Sequence, residues 1–383
     1  MSNLNLTYNN ISQIAPFALQ LLDNITILEL SFNNLTKVYS NSFYGMTNLK
    51  TLFLNSNQIS QLESDVFKDI PTLRSLYLNS NLIRNLDSNL FDNLQELFLI
   101  DLRNNQIEFL ERSIFKSLQK LKAIYLRNNK LKSLEPIFDN LESLNFLDVS
   151  SNEIKTVHND TFKSLKQVRI ISIYNNQISE INSETFKGAE NLETLIIYTN
   201  KIQRIHRNFS SNFQNLTYIH MSNNNLSLIE PNFFNSFIKL KYLHLHGCNI
   251  KSIELSSLAN LSRLVLSYNE ITYFSQNLSS LTYLSLDENP LVNLSYPLIS
   301  SPKSSLEYLD ISYCQLNFID FNYLRNFNNL RYLSLYGNPI SLDNQTFSGF
   351  TNLREVNLNS GDVERFRNLF PNITFNRYNY YYY

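Results

Sequence analysis

Three of the chain's five histidines occur close together, at positions His220, His244 and His246. Imidazole binds metal ions and normally titrates between pH 5 and 8, so this group is a candidate metal site or pH sensor. The segments that carry it supply no carboxylate at matching positions to complete a ligand set. We therefore favour a plain surface role and predict no metal and no other cofactor. At a contact with a partner, the three histidines would make affinity vary between about pH 5 and 7.

Tyrosine and arginine give a second chemical signal. The chain has 23 tyrosines, and these two residue types are frequent anchors of protein interfaces. The alternative is that tyrosine is common simply because strands favour it. The first candidate binding surface comprises Tyr174, Tyr198, Tyr218, His220, Tyr242, His244 and His246. The second candidate surface comprises Tyr77, Arg103, Tyr125 and Arg127.

Motifs for catalysis are absent from the sequence. It contains no glycine-rich phosphate loop, no CxxC, no HExxH and no Gly-x-Ser-x-Gly, which are the short patterns that place nucleophiles, metals or phosphates. We predict that the chain is not an enzyme.

These candidate residues are positioned by an internal repeat. The frame Leu-x-x-Leu-x-Leu-x-x-Asn-x-Leu/Ile returns fifteen times, mostly at steps of 24 residues, and a degraded sixteenth copy contains Leu353, Val356 and Leu358. The ninth position of the frame is occupied by Asn9, Asn33, Asn57, Asn81, Asn105, Asn129, Asn152, Asn176, Asn200, Asn224, Cys248, Asn269, Asn289, Cys314 and Asn338. A fixed period of this length with this spelling indicates stacked leucine-rich repeats.

The Leu-x-Leu alternation predicts a short strand with one buried face in each repeat. After the strand the chain turns inside the stack, where an asparagine amide can donate to and accept from main-chain groups of its own and the neighbouring repeat. The third, fifth and seventh positions of the frame then point away from the core, and equivalent positions align about 4.7 Å apart. The first candidate surface collects residues of these positions from four adjacent repeats.

Ten residues after the asparagine the repeats carry a phenylalanine, as at Phe43, Phe67, Phe91 and Phe115, and these rings are expected to stack on the convex side. With this feature the chain resembles the 24-residue "typical" subfamily of leucine-rich repeats, which includes Toll-like receptor ectodomains, Slit, the Nogo receptor and secreted insect recognition proteins. The resemblance implies a right-handed α/β solenoid of about 16 repeats, shaped as a horseshoe. Its parallel sheet would lie on the concave face and its convex side would be mostly irregular.

The frame assigns residues 1–376 to a single solenoid, with irregular repeats at about 248–305, and residues 377–383 to a frayed tail. Met1 already occupies the first position of a frame, and the cysteine-rich caps usual in the subfamily are missing. We therefore expect a fragment of a longer protein, and an uncovered end that favours homo-oligomers.

The two cysteines, Cys248 and Cys314, replace the asparagine three repeats apart. At about 4.7 Å per strand they would be roughly 14 Å apart, and a disulfide needs Cα atoms within about 7 Å. We expect two free, buried thiols.

A formal charge of −1 gives no reason to expect a nucleic-acid partner, and no run of ~18 apolar residues predicts direct membrane insertion. The resemblance implies a non-catalytic module that binds a protein on its concave face, as part of an extracellular or cell-surface ectodomain or a secreted binder. Candidate glycosylation sites are Asn10, Asn34 and Asn225. The alternative is an intracellular scaffold, because free thiols and the lack of a signal peptide in this sequence leave a cytoplasmic location open.

Overall fold

The computed structural model describes residues 2–301 and 303–377, except for the side chains of residues 210–212. The chain forms two compact units. One comprises Met1–Lys201 with Ser211–Asn215, and the other comprises Ile202–Ser210 with Leu216–Tyr383.

The first unit is a solenoid with one parallel sheet. Each strand pairs in register with the strand of the next repeat, as in the pairing of Leu52 with Leu76. The strands of this sheet are Asn3–Asn5, Ile27–Glu29, Thr51–Phe53, Ser75–Tyr77, Leu99–Asp101, Ala123–Tyr125, Phe146–Asp148, Ile170–Ser172 and Thr194–Ile196.

The second unit continues the same design. Its parallel strands are Tyr218–His220, Tyr242–His244, Arg263–Val265, Tyr283–Ser285, Tyr308–Asp310, Tyr332–Ser334, Glu355–Leu358 and Thr374–Arg377. The last strand corrects the assignment of Arg377 to a frayed tail, because Arg377 pairs with Leu358. The rest of that tail, residues 378–383, lies outside the described residues.

The side of each unit opposite the main sheet is mostly turns. Two-residue strands pair there in parallel: Lys37–Val38 with Gln61–Leu62, Ser133–Leu134 with Thr156–Val157, and Asn293–Leu294 with Phe318–Ile319. Glu180–Ile181 and Arg204–Ile205 are two further short strands. Helical segments are the 3-10 helices Arg207–Asn212 and Phe233–Ser236 and the α-helices Phe321–Arg325 and Ser360–Leu369. This arrangement confirms the predicted parallel-sheet solenoid with little helix.

Phenylalanine rings line the inside of the first unit. Phe67 and Phe91 stack with their ring centroids 6.2 Å apart, Phe91 and Phe115 lie at the same distance, and Phe115 and Phe138 at 6.4 Å. All four side chains are fully buried. Stacking at the repeat spacing places the aromatic contact area in the core without a gap.

The asparagines of the ninth position bond the backbone of two repeats. Asn57 donates from Nδ2 to the carbonyl oxygens of Leu30 (2.9 Å) and Leu54 (3.0 Å), and its Oδ1 accepts from the Leu35 amide at 3.0 Å. The same three-bond pattern recurs at most of the ninth positions of the frame, and we call this series of positions the ladder. Asn9 differs because it is exposed, and its amide donates to Thr7 within its own repeat.

Both cysteines are free and buried at ladder positions, and burial raises the pKa of the Cys248 thiol to about 12. The backbone amides of Cys248 and Cys314 donate to the Oδ1 atoms of Asn269 and Asn338 respectively, so each cysteine is hydrogen-bonded to the asparagine of a following repeat. Desolvation therefore keeps these sulfur atoms protonated and unreactive.

Candidate functional site

The sheet of the first unit carries a row of aromatic and arginine side chains on the side that faces away from the core. Arg103 makes a bidentate ion pair with Asp101, donating from Nε at 3.0 Å and from Nη2 at 2.6 Å. The same guanidinium lies over the ring of Tyr125, 5.0 Å from its centroid. Tyr77 stacks on Phe53 at 4.5 Å, and burial raises its pKa. Within the second candidate surface, Arg103 and Tyr125 are therefore in direct contact.

Arg127, from the second candidate surface, contacts a tyrosine of the first candidate surface. Its guanidinium lies over Tyr174 at 5.5 Å, and Tyr174 stacks on Tyr198 at 4.4 Å. Within the described residues, Arg127 has no ion pair, and its side chain is exposed. We call Tyr77, Arg103, Tyr125, Arg127, Tyr174 and Tyr198 the arginine–tyrosine face. Sequence reasoning placed Arg127 and Tyr174 on separate surfaces, whereas the structure brings these two side chains into contact.

The other five residues of the first candidate surface lie in the second unit. The ring of His244 is 5.1 Å from His220 and 5.5 Å from Tyr218, and Tyr218 lies 6.0 Å from Tyr242. The ring of His246 contacts that of Tyr268, with their centroids 4.8 Å apart. We call Tyr218, His220, Tyr242, His244 and His246 the histidine face.

A third group was missed as a site by sequence reasoning, although its residues appear in the third frame position. Arg263 lies over the ring of Tyr283 at 3.7 Å, Tyr283 stacks on Tyr308 at 4.1 Å, and Tyr308 stacks on Tyr332 at 4.2 Å. The signal that could have found it is the recurrence of tyrosine at this position in three successive repeats.

The repeat that positions these three groups of residues is also detected by sequence comparison. A family profile described as "Leucine rich repeat" matches residues 1–59, 47–107, 99–154, 143–202 and 190–250. The chain belongs to the leucine-rich repeat family. A second profile, described as "BspA type Leucine rich repeat region", matches residues 267–376 of this leucine-rich-repeat chain. The assignment to the 24-residue subfamily stays a prediction.

Among curated proteins, none matches the leucine-rich-repeat chain. Solved structures do. A leucine-rich-repeat protein of Leptospira interrogans is 22% identical with a TM-score of 0.69, over 97% of this chain and 83% of that one. An internalin of Listeria monocytogenes is 20% identical with a TM-score of 0.61, over 93% and 86%. Toll, in the Drosophila Toll–Spatzle complex, is 19% identical with a TM-score of 0.63, over 92% of this chain and 53% of the other. At these identities the likeness shows the fold.

Burial determines the titration of the histidine face. Desolvation, followed by repulsion from His244 and His246, lowers the pKa of His220 to about 4. Desolvation and the charge of Arg263 lower the pKa of His244 to about 4. The pKa of His246 is also lowered by burial, although Asp287 opposes the shift. In the free chain these shifts move the titration of His220 and His244 below the window of pH 5 to 7, because desolvation disfavours the protonated rings. The pH dependence of the affinity for a partner stays a prediction.

We expect His220 and His244 to make folding less stable as the pH falls from about 6.5 to about 4. In this window the unfolded imidazoles bind protons that the folded ones do not, so stability is lost on acidification. The loss is on the order of 1–2 kcal/mol per histidine after allowance for partial solvent exposure. Burial and Asp287 raise the pKa of Asp310 to about 6, which acts in the opposite sense.

The test compares wild type with the double variant His220→Gln, His244→Gln in urea unfolding at several pH values, so that the contribution of Asp310 cancels. The stability difference between the two proteins should shift in favour of the variant as the pH falls from 6.5 to 4. Parallel pH curves would show that the imidazoles titrate normally.

In residues 2–301 and 303–377, no group of three or more His, Cys, Asp or Glu side chains is arranged to hold a metal ion. The helices of the described chain include none that is long and apolar enough to cross a membrane.

Proposed function

We propose that this leucine-rich-repeat chain is a non-catalytic recognition module. It binds a protein partner through the side of its main sheet that faces away from the core. The observation that carries the proposal is the arginine–tyrosine face, in which rigidly stacked aromatic rings adjoin an unpaired, exposed guanidinium. Stacked rings supply large contact areas at low entropy cost, because their neighbours already restrict them. An exposed arginine over an aromatic ring can also form a bidentate pair with a carboxylate of the partner.

We further propose that the chain acts outside the cell or at its surface. The candidate glycosylation residues Asn10, Asn34 and Asn225 are all exposed, as an acceptor asparagine must be. Toll, which shares the fold, was solved in a glycosylated form. Glycans on these asparagines, found by mass spectrometry of the native protein, would support this location. Native protein without glycans that fractionates with intracellular proteins would favour the scaffold alternative.

The binding proposal predicts that Tyr198→Ala and Arg127→Ala each weaken the complex at least fivefold, because truncated interface anchors typically cost over ~1 kcal/mol. A partner captured by pull-down is purified, and the dissociation constants are measured by isothermal titration calorimetry. Tyr242→Ala tests the histidine face in the same assay.

The matched control is Tyr273→Ala, since Tyr273 is exposed but lies outside the strands. It should leave affinity unchanged. A loss confined to Tyr242→Ala would move the interface to the histidine face. Full affinity in all three sheet-face variants would contradict binding through either face.

A further inference from the structure

In the second unit, oxygen-bearing side chains fill two adjacent frame positions across several repeats. At the fifth position Ser285 pairs with Asp310, Asp310 with Ser334, and Ser334 with Asn357. At the seventh position lie Ser267, Asp287 and Ser312. We call these seven residues the oxygen cluster: Ser267, Ser285, Asp287, Asp310, Ser312, Ser334 and Asn357.

Two carboxylates form the centre of the oxygen cluster. The Oδ1 atom of Asp310 accepts from the Ser312 amide at 3.0 Å and from the Ser312 hydroxyl at 2.5 Å. The Oδ1 atom of Asp287 accepts from the Ser267 hydroxyl at 2.6 Å and also from the Ser285 hydroxyl. All of these hydrogen bonds end on the Oδ1 atoms. The second oxygen of each carboxylate is therefore available to a further ligand.

The charge of this pair is not balanced by a protein cation. Asp310 is only 6% exposed, and neither Asp287 nor Asp310 forms an ion pair with a described Lys, Arg or His. In the first unit, by comparison, the buried Asp101 is neutralised by the guanidinium of Arg103. Two carboxylates close together in a desolvated place attract a cation.

An independent observation indicates missing contacts in the oxygen cluster. Ser334 is 0% exposed and Asn357 is 6% exposed, yet the Ser334 hydroxyl and the Asn357 Oδ1 atom have no hydrogen-bond partner. Ser334 pairs in register with Asp310, so the two side chains lie next to each other on the same face of the sheet. Buried polar atoms are normally paired, so the unpaired Ser334 hydroxyl beside Asp310 points to an additional ligand there.

We propose that the oxygen cluster binds one hard divalent cation, Ca²⁺, through the carboxylates of Asp287 and Asp310 and the neutral oxygen of Ser334. Calcium takes carboxylate, amide and water oxygens in flexible geometry, and a site with two carboxylates and several neutral oxygens suits it. The absence of nitrogen and sulfur ligands disfavours zinc and copper. This site is separate from the proposed partner-binding function and can be tested without a partner.

The tyrosines beside the cluster provide the assay. Asp310 contributes to raising the pKa values of both Tyr308 and Tyr332, so a cation bound at Asp310 lies near their rings. Tb³⁺ substitutes for Ca²⁺ at oxygen sites and luminesces when neighbouring tyrosines are excited. Titration of the full chain with Tb³⁺ should give saturable emission at one ion per chain, and added Ca²⁺ should displace it.

The variants Asp310→Asn and Asp287→Asn each retain the Oδ1 acceptor and remove one charge, so they should fold and weaken Tb³⁺ binding at least tenfold. Ser334→Ala should weaken it by a smaller factor. Asp148→Asn is the control, because Asp148 accepts the same two bonds from Ser150 (3.0 and 2.5 Å) at the same frame position. Circular dichroism melting checks that each variant is folded.

Unchanged binding in Asp148→Asn together with losses in the other variants supports the site. The absence of saturable emission from the wild-type protein, or equal binding by wild type and folded Asp287→Asn and Asp310→Asn, would overturn it. If Asp310→Asn does not fold, Asp287→Asn decides the outcome, because Asp287 is less buried than Asp310.

Discussion

Replacement of Phe91 by alanine should lower the free energy of unfolding by about 3–5 kcal/mol. Phe91 is 0% exposed, and its ring lies between those of Phe67 and Phe115 at 6.2 Å on each side. Alanine leaves a cavity of ring size. Strand pairing fixes the spacing of the neighbouring repeats, so the flanking rings cannot approach each other to fill it.

The measurement for Phe91→Ala is urea unfolding followed by circular dichroism, supported by amide exchange. Because repeats contact mainly their neighbours, exchange should accelerate first in the repeats that hold Phe67, Phe91 and Phe115. Phe109→Ala is the control, since Phe109 is 54% exposed, and it should change stability by less than ~0.5 kcal/mol. Similar losses in the two variants would mean that the stack has no special part in stability.

The fold was predictable because its two strongest constraints are periodic. Leucine alternation locates each strand, and the step of the asparagine sets the repeat. The left-handed backbone of the eighth frame position was not predictable, because it is adopted there by residue types that disfavour it, such as Phe32 (φ 55°), Thr199 (φ 51°) and Glu288 (φ 57°). Strand pairing across repeats imposes this conformation, as where the Phe32 amide donates to Asn55 of the next repeat.

For the candidate site, the sequence predicted which frame positions the residues occupy, but not how their side chains are arranged. Aligned frame positions correctly placed Tyr174 beside Tyr198, but alignment does not determine rotamers. Arg127 reaches Tyr174 across the intervening repeat because the small Ser150 stands between them, whereas Arg103 turns back to Asp101. The final strand Thr374–Arg377 was missed because helix Ser360–Leu369 separates it from the last recognisable frame. Burial of the imidazoles likewise depends on neighbours in three dimensions.

Replacement of Asn129 by alanine should cost on the order of 1–3 kcal/mol, because it strands several buried backbone groups at once. Asn129 donates from Nδ2 to the carbonyl oxygens of Leu102 and Leu126, both at 3.0 Å. Its Oδ1 atom accepts from the Ile107 amide at 3.0 Å. Alanine can replace none of these bonds, and water has little access, because Asn129 is 7% exposed.

Urea unfolding measures the total loss for Asn129→Ala, and hydrogen exchange at the Ile107 amide isolates the ladder bond, because that proton loses its acceptor in the variant. Asn145→Ala is the matched control. Asn145 is exposed, and its side chain forms no hydrogen bond with the described residues, so both measurements should match wild type. If Asn129 only fills space, Asn129→Ala should have the same unfolding midpoint as the control, and its Ile107 amide should be equally protected from hydrogen exchange. A local loss at Ile107 with a smaller change in the midpoint would instead indicate that the repeats of the first unit unfold in stages, as stacked units with nearest-neighbour coupling can.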